Sequence, residues 1–215
     1  QQYKTSRTDG WRDRLRDAIC DQLYRGPSDL TSYFNDRVIG AANEYIRTGK
    51  SVVVVTPNYD QFLLDTLDHL ENPELPDQEK AAYSRREVFA FGVDQAGGPT
   101  DCAEQLEELV RCMKDQTVLC VFYLHGYVGR AAPRDARLAN AYPVVSEQDY
   151  AVTRENSQRV LGQLFEDRHA IVVGSSITDP PLIHALVTTK TKSTHGGRFR
   201  DGAPSGETKR RFAIM

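Results

Sequence analysis

Three short polar stretches of the sequence carry side chains that can do chemistry, and each follows an apolar run. Thr56-Pro57-Asn58-Tyr59-Asp60 comes directly after a run of valines and offers an amide and a carboxylate. His125-Gly126 follows a second apolar run and offers an imidazole, which can act as a general base near neutral pH. Gly174-Ser175-Ser176 follows a third run, and its small residues let backbone amides approach a phosphate or a ribose.

Each stretch also has a purely structural interpretation. Asn58 and Asp60 precede a helical pattern, and both residue types are good helix N-caps. A histidine at a strand end, followed by a glycine as His125 is, is often only packed or hydrogen-bonded. A Gly-Ser-Ser turn is weak evidence when taken alone. The residues by themselves therefore leave both interpretations open.

The elements that position these stretches follow from the spacing of apolar residues. Short apolar or alternating runs predict strands over Val52–Val55, Val88–Val93, Val118–Leu124, Ala170–Val173 and Arg211–Met215. Helical spacing predicts helices over Trp11–Leu23, from a Ser28 cap to Gly49, over Phe62–Leu70, around Leu106–Met113, around Val160–Phe165 and over Pro181–Val187. Polar and glycine-containing stretches predict loops over 72–86, 126–142 and 190–208. In the helix predicted over Trp11–Leu23 the apolar stripe is Trp11, Leu15, Ile19 and Leu23.

Alternating strands and helices predict a doubly wound α/β fold with a largely parallel, Rossmann-like sheet and helices on both faces. Val52–Val55, Val118–Leu124 and Ala170–Val173 are expected to be adjacent central strands, because such apolar runs need cover on both faces. In such a sheet the ligand crevice lies outside the carboxyl ends of the strands. We therefore expect Asn58, His125 and Ser175 to converge on one pocket.

The overall composition narrows the function class. A chain of 215 residues predicts a single domain, and a net charge of −3 gives no electrostatic case for a nucleic-acid partner. No apolar run is long enough for a membrane span, so we expect a soluble, cytoplasmic protein without a membrane partner. The four cysteines, Cys20, Cys102, Cys112 and Cys120, form no C-x-x-C pair, and no metal site is expected.

The combination of motifs is more specific than any one of them. T-P-N-Y-D, then L-H-G, then V-G-S-S-x-T-D-P, each after an apolar strand, resembles the sirtuin-like (SIR2-like) family. The resemblance is to its bacterial branch of NAD-cleaving domains from antiphage defence proteins, and it extends from about Trp11 to Met215. It implies that NAD is the substrate and that Asn58 and His125 are the catalytic pair, with Asp60 beside them. The residues that it implies for dinucleotide binding are Thr56, Pro57, Asn58, Asp60, Gly126, Gly174, Ser175, Ser176 and Asp179.

The sequence departs from the family pattern in two places. A glycine-rich G-A-G-x-S loop should precede the helix at Trp11, and no stretch matches it. We therefore expect a further segment upstream and more protein downstream. The four-cysteine zinc module of the protein deacetylases is absent as well, which weakens a deacylase interpretation.

Three hypotheses about function follow from the resemblance. The first is an NAD+ hydrolase that serves as the effector domain of a defence protein and forms a homo-oligomer through this or flanking domains. The second is a module that senses NAD or a related nucleotide without turnover. A protein deacylase is a distant third. Asn58 and His125 separate the first two, because a pure sensor needs neither an amide nor a base at the scissile bond.

Overall fold

The computed structural model describes residues 10–25, 33–77, 80–101, 103–115, 117–130, 136–167, 170–173, 180, 182–185, 187 and 211–214. The chain forms two compact units, residues 1–153 and 154–215, and the boundary falls within a long helix. The elements in chain order are α1 (Trp11–Leu23), α2 (Tyr33–Arg47), β1 (Val52–Thr56), α3 (Phe62–Leu70), β2 (Arg85–Ala90), α4 (Ala103–Asp115), β3 (Val118–Tyr123), α5 (Ala136–Ala139), α6 (Glu147–Asp167), β4 (Ala170–Val173) and β5 (Arg211–Ile214).

The first unit is built on a parallel sheet of three strands in the order β1-β3-β2. The central strand, β3, is buried along its whole length. It is paired from Leu119 to Tyr123 with β1 and from Val118 to Tyr123 with β2. A parallel sheet surrounded by helices confirms the predicted Rossmann-like α/β fold class.

One part of the sheet prediction is wrong. β1 and β3 are adjacent, as expected, but β1 is an edge strand of the three that the first unit's described residues form. β4, which was predicted to lie beside β1 and β3, pairs with β5 in a parallel sheet of two strands. The valines of β1 are only half-buried. β-Branched residues favour a strand at an edge as well as at the centre, so their presence does not fix the position of β1.

Opposite faces of the sheet bury different clusters. Successive side chains of a strand point to opposite faces, and Leu119, Val121 and Tyr123 share one cluster with Ile39 of α2 and Leu67 of α3. Each such side chain contributes roughly 1.5–3 kcal/mol when it is fully buried.

The alternate β3 residue Phe122 belongs to a group of aromatic rings. It stacks on Phe89 of β2, with ring centroids 6.4 Å apart, and meets Phe91 edge to face at 4.5 Å. α4 also contacts β3, and α5 contacts β2. Helices and aromatic packing therefore enclose the central strand.

Several predicted boundaries change in the structure. β2 ends at Ala90, and Val93, predicted as its last residue, instead forms isolated bridges to Pro99 and Tyr142. The predicted loop over 126–142 contains the short helix α5. The predicted Ser28 cap lies outside the described residues. In the structure α2 begins at Tyr33.

α1 also presents a face that the apolar stripe did not predict. Trp11 is 41 % exposed, whereas the neighbouring Arg12 is only 7 % exposed. An arginine tolerates this position because its guanidinium has a buried carboxylate partner, which is described below.

Among the described residues, no helix combines the length and the apolar character that crossing a membrane requires.

Candidate active site

The predicted T-P-N-Y-D and L-H-G segments leave neighbouring strands at the same edge of the sheet. Thr56 and Tyr123, the last residues of β1 and β3, lie opposite each other in the parallel ladder. The backbone N–H of Leu124 then donates to the carbonyl of Thr56 at 2.9 Å. Asn58 and His125 each follow two residues later. The structure therefore brings both segments to the carboxyl edge, where ligands of α/β sheets bind.

The turn after β1 leaves one candidate side chain on the surface. Pro57 and Asn58 are exposed, and the backbone N–H of Asn58 donates to the hydroxyl of Thr56 at 3.1 Å. The Thr56 side chain thus shapes the turn through a local hydrogen bond. The amide of Asn58, which can both donate and accept, is placed where a ligand could reach it.

Asp60 has a structural role in the same turn. Its Oδ1 accepts a hydrogen bond from the backbone N–H of Phe62 at 3.1 Å, at the start of α3. Asp60 also forms an isolated parallel bridge with Val128, whose N–H donates to the carbonyl of Tyr59 at 2.6 Å. Gln61 occupies the N-cap position of α3 and makes no side-chain capping bond, and the carboxylate of Asp60, one residue earlier, binds the first N–H of the helix instead. The structural interpretation of Asp60 therefore has direct support, whereas Asn58 makes no such contact with α3.

Partial burial perturbs the carboxyl group of Asp60. Desolvation raises the pKa of Asp60, although hydrogen bonds from the backbone N–H groups of Phe62 and of Asp60 itself act in the opposite direction. Burial disfavours the charged form of a carboxyl group, so this shift marks a carboxylate that is held in a partly dry turn.

His125 lies beneath the surface of the first unit. Only 4 % of the residue is exposed, and its ring lies 5.0 Å from the ring of Tyr150 at an angle of 60°. Its backbone carbonyl accepts a hydrogen bond from the N–H of Val144 at 3.0 Å. The position of His125 is thus set by the segment that leads into α6 and by the first turn of α6. Nothing in the sequence indicated that this part of the chain contacts His125.

Gly126 is required by the backbone itself. Its φ is +88°, and an added Cβ would lie 2.3 Å from the carbonyl oxygen of Tyr142 and 2.7 Å from the Cα of Pro143. Gly92 lies just after β2, and a Cβ added to it would lie 2.2 Å from the same carbonyl oxygen of Tyr142. Two glycines therefore let the backbone at Tyr142 lie close against the segments that follow β2 and β3.

Arg12 and Asp149 form a buried ion pair that sequence reasoning missed. The Nη2 of Arg12 donates to the Oδ1 of Asp149 at 2.8 Å, and their side chains are 8 % and 4 % exposed. Burial alone would raise the pKa of Asp149, but hydrogen bonds from Arg12, Ser146 and Val145 outweigh it and lower the pKa. The two residues are 137 positions apart, so no local pattern could reveal the pair.

The third predicted segment lies outside the part of the chain that the structure describes. Gly174, Ser175, Ser176 and Asp179 belong to it. The convergence of Ser175 with Asn58 and His125 stays a prediction.

No group of three or more His, Cys, Asp or Glu side chains is arranged to hold a metal ion in the described ranges. Among these residues Cys20, Cys112 and Cys120 lie outside any disulfide, and the Sγ of Cys20 donates to the carbonyl of Gly129 at 3.3 Å.

The edge of the sheet thus combines three kinds of group: an exposed amide, a half-buried carboxylate and a buried imidazole. An amide can orient hydroxyl groups or a water molecule without carrying charge, and an imidazole can accept a proton near neutral pH. These are the elements of a site that positions a polar substrate and removes a proton from it.

Comparison with known proteins identifies the family. A protein-family model described as a SIR2-like domain matches residues 52–200, which is more than half of the chain. The matched range includes the T-P-N-Y-D, L-H-G and G-S-S segments. Searches of curated proteins and of solved structures returned no match. The family match supports an NAD-related function and suggests NAD binding, and the chain belongs to the SIR2-like domain family.

Proposed function

We propose that this protein is an NAD+ hydrolase that cleaves the bond between nicotinamide and ribose. The observation that carries the proposal is the placement of the Asn58 and His125 segments at the ends of paired strands in a SIR2-like chain. The products are nicotinamide and ADP-ribose or a cyclised form of it.

Cleavage of this bond sends its electron pair to the nicotinamide nitrogen and leaves oxocarbenium character on the ribose. In the proposed mechanism the amide of Asn58 orients a water molecule or the ribose hydroxyls, which raises the probability of a productive geometry. Water attacks the anomeric carbon of the ribose, and the new C–O bond forms as the bond to nicotinamide breaks. His125 accepts the proton that the water loses, a role that typically contributes about 10²–10⁴-fold.

Asp60 is assigned a supporting role. Its hydrogen bond with the first N–H of α3 holds the turn that carries Asn58, which favours orientation of the turn as its main contribution. A carboxylate near the ribose also stabilises developing positive charge if it is ionised. The raised pKa of Asp60 weakens that second role, because burial disfavours its ionised form.

The dinucleotide contacts are proposed from the family resemblance. Thr56, Pro57, Asn58, Asp60 and Gly126 would line the sheet edge, and Gly174, Ser175, Ser176 and Asp179 would hold the phosphate or ribose groups. The same resemblance supports an effector role in bacterial antiphage defence, in the cytoplasm and as a homo-oligomer.

A second candidate function is an NAD-binding module without turnover. It is favoured by the burial of His125 beside Tyr150 and by the capping role of Asp60, since both residues then have structural explanations. A protein deacylase remains a distant third, because the sequence lacks the four-cysteine zinc module of that group.

Two measurements on the full-length protein separate the hydrolase from the sensor. NAD+ affinity is measured by calorimetry, and nicotinamide release is measured by chromatography. The hydrolase proposal expects release by the wild type, a loss of most release in Asn58→Ala and no change in Asn140→Ala. Asn140 is an exposed asparagine outside the turn and serves as the control. Tight binding of NAD+ without any nicotinamide release would favour the sensor.

A further inference from the structure

His125 is held by the segment that leads into α6. The N–H of Val144 donates to the carbonyl of His125 at 3.0 Å, and the ring of Tyr150 lies 5.0 Å from the imidazole. Tyr150 is 37 % exposed, whereas His125 is 4 % exposed. The position of the imidazole therefore depends on how residues 144–150 are arranged.

Asp149 fixes the arrangement of that segment through hydrogen bonds to its backbone. The Oδ2 of Asp149 accepts from the N–H of Val145 at 3.3 Å and from the N–H of Ser146 at 3.2 Å. In return the N–H of Asp149 donates to the hydroxyl of Ser146 at 3.1 Å. This is the reciprocal pattern of a capping box at the start of a helix.

Arg12 holds the other oxygen of the same carboxylate. Its Nη2 donates to the Oδ1 of Asp149 at 2.8 Å, and both side chains are buried. The helix cap itself uses Oδ2 and does not need Arg12. A buried ion pair offsets a large desolvation cost and is weak evidence for stability alone, so a geometric role is the better account of the pair.

We propose that Arg12 and Asp149 are positioning residues that fix Tyr150 against His125 and thereby orient the imidazole for proton transfer. The kinetic part of this inference rests on the proposed function. It makes α1 part of the catalytic apparatus, although α1 lies far from His125 in the sequence. No direct contact of Arg12 or Asp149 with the substrate is required.

The kinetic test uses Asp149→Asn, Arg12→Lys and Tyr150→Leu in the full-length protein. Asn keeps the size of Asp149 but loses its charge. Lys keeps the charge of Arg12 but loses the planar guanidinium group, and Leu removes the aromatic ring beside His125. Glu147→Gln and Arg14→Lys are matched controls, because both residues are exposed and Glu147 lies in the same turn as Asp149.

We expect kcat to fall by about 10- to 100-fold in Asp149→Asn and Tyr150→Leu, with KM within roughly threefold, as for a group misplaced by about 1 Å. Arg12→Lys should retain more activity than Asp149→Asn, because the ammonium still pairs with the carboxylate. Both controls should match the wild type. Rates are expressed per folded protein, so a loss of stability alone leaves kcat unchanged.

A second measurement does not depend on NAD cleavage. The ring signals of His125 are recorded by NMR after selective labelling of histidine and are assigned with a His125→Gln variant. Asp149→Asn and Tyr150→Leu should shift these signals, because the neighbouring ring moves or disappears, while His69 on the surface of α3 keeps its signals. If Asp149→Asn does not fold, Arg12→Lys decides the result, because it leaves the ring of Tyr150 in place and changes only the group that holds Asp149.

The two measurements separate failure of this inference from failure of the proposed function. If Asp149→Asn shifts the His125 signals but the wild type does not cleave NAD+, the result would support the positioning of His125 and reject the hydrolase. Unchanged His125 signals with unchanged kcat in an active enzyme would overturn the positioning role. Unchanged signals in an inactive wild type would overturn both.

Discussion

Thr56 and Tyr123 end two neighbouring parallel strands opposite each other, and the ladder extends one step further through the hydrogen bond from Leu124 to Thr56. This pairing sets where the chain leaves β1 and β3. Because both strands run in the same direction, Asn58 and His125 follow at one edge of the sheet. The proposed chemistry depends on that shared edge.

Gly126→Ala should destabilise the first unit strongly. The substitution places a Cβ at a φ of +88° and within 2.3 Å of the Tyr142 carbonyl oxygen, so the backbone must move. We expect a loss of at least about 2 kcal/mol in the free energy of unfolding, measured with denaturant. Gly40→Ala in α2 is the control: its Cβ meets nothing within 4 Å, and it should stabilise by roughly 0.5–1 kcal/mol. Equal stabilities of the two variants would contradict the claim that the backbone at position 126 cannot accept a Cβ.

Asp149→Asn should cost stability in a way that depends on pH. At neutral pH we expect a loss of roughly 3–5 kcal/mol, because the buried Arg12 loses its partner. The folded state lowers the pKa of Asp149, so the stabilisation is present above the unfolded value, about 3.9, and is lost as the pH falls through the folded pKa. Unfolding curves from pH 7 to pH 3 test this.

The matched variant for this experiment is Glu147→Gln, which removes an exposed carboxylate from the same turn of α6. It should change the free energy of unfolding by no more than about 0.5 kcal/mol. If Asp149→Asn behaves like Glu147→Gln at pH 7, the ion pair with Arg12 does not hold the segment.

Asp60→Asn should have only a mild effect on both stability and activity. The amide oxygen of Asn can still accept from the N–H of Phe62, and both residue types are good caps. We expect nicotinamide release within about tenfold of the wild type, against the 10²–10³-fold loss that follows removal of a group that stabilises transition-state charge. A loss in the larger range would assign the carboxylate of Asp60 to electrostatic stabilisation instead.

Tyr24→Phe should loosen the junction between α1 and the T-P-N-Y-D turn. The Oη of Tyr24 donates to the carbonyl of Val128 at 2.7 Å and accepts from the N–H of Gln61 at 2.8 Å. Loss of both bonds should lower the free energy of unfolding by about 1–3 kcal/mol. Tyr45→Phe, at a residue that is 51 % exposed, is the control and should be nearly neutral. Identical melting curves for the two variants would contradict the role of Tyr24.

The local spacing of apolar residues predicted most of the helices and strands, because this spacing repeats within a short stretch of the chain. Trp11–Leu23, Phe62–Leu70 and Ala170–Val173 agree with α1, α3 and β4 in the structure. The position of β1 in the sheet was not predictable in the same way. Its valines favour any strand, and the pairing partner is decided by distant residues.

The candidate site was predictable to a similar extent. The edge shared by Asn58 and His125 follows from the rule for parallel strands, and the structure places both segments there. The ion pair of Arg12 and Asp149 and the ring of Tyr150 beside His125 join segments far apart in the chain. No spacing rule connects such residues, so only the folded structure reveals them.

Nicotinamide release from NAD+ by the full-length protein decides whether the protein is an NAD+ hydrolase that uses Asn58 and His125. Wild type, Asn58→Ala and His125→Gln are compared with the controls Asn140→Ala and His69→Gln, whose residues are exposed and lie outside the proposed site. Gln replaces His125 because this residue is buried and truncation to Ala would leave a cavity. The account predicts release by the wild type and both controls, and a loss of at least about 10²-fold in Asn58→Ala and His125→Gln. Release at the wild-type rate by Asn58→Ala and His125→Gln would contradict it.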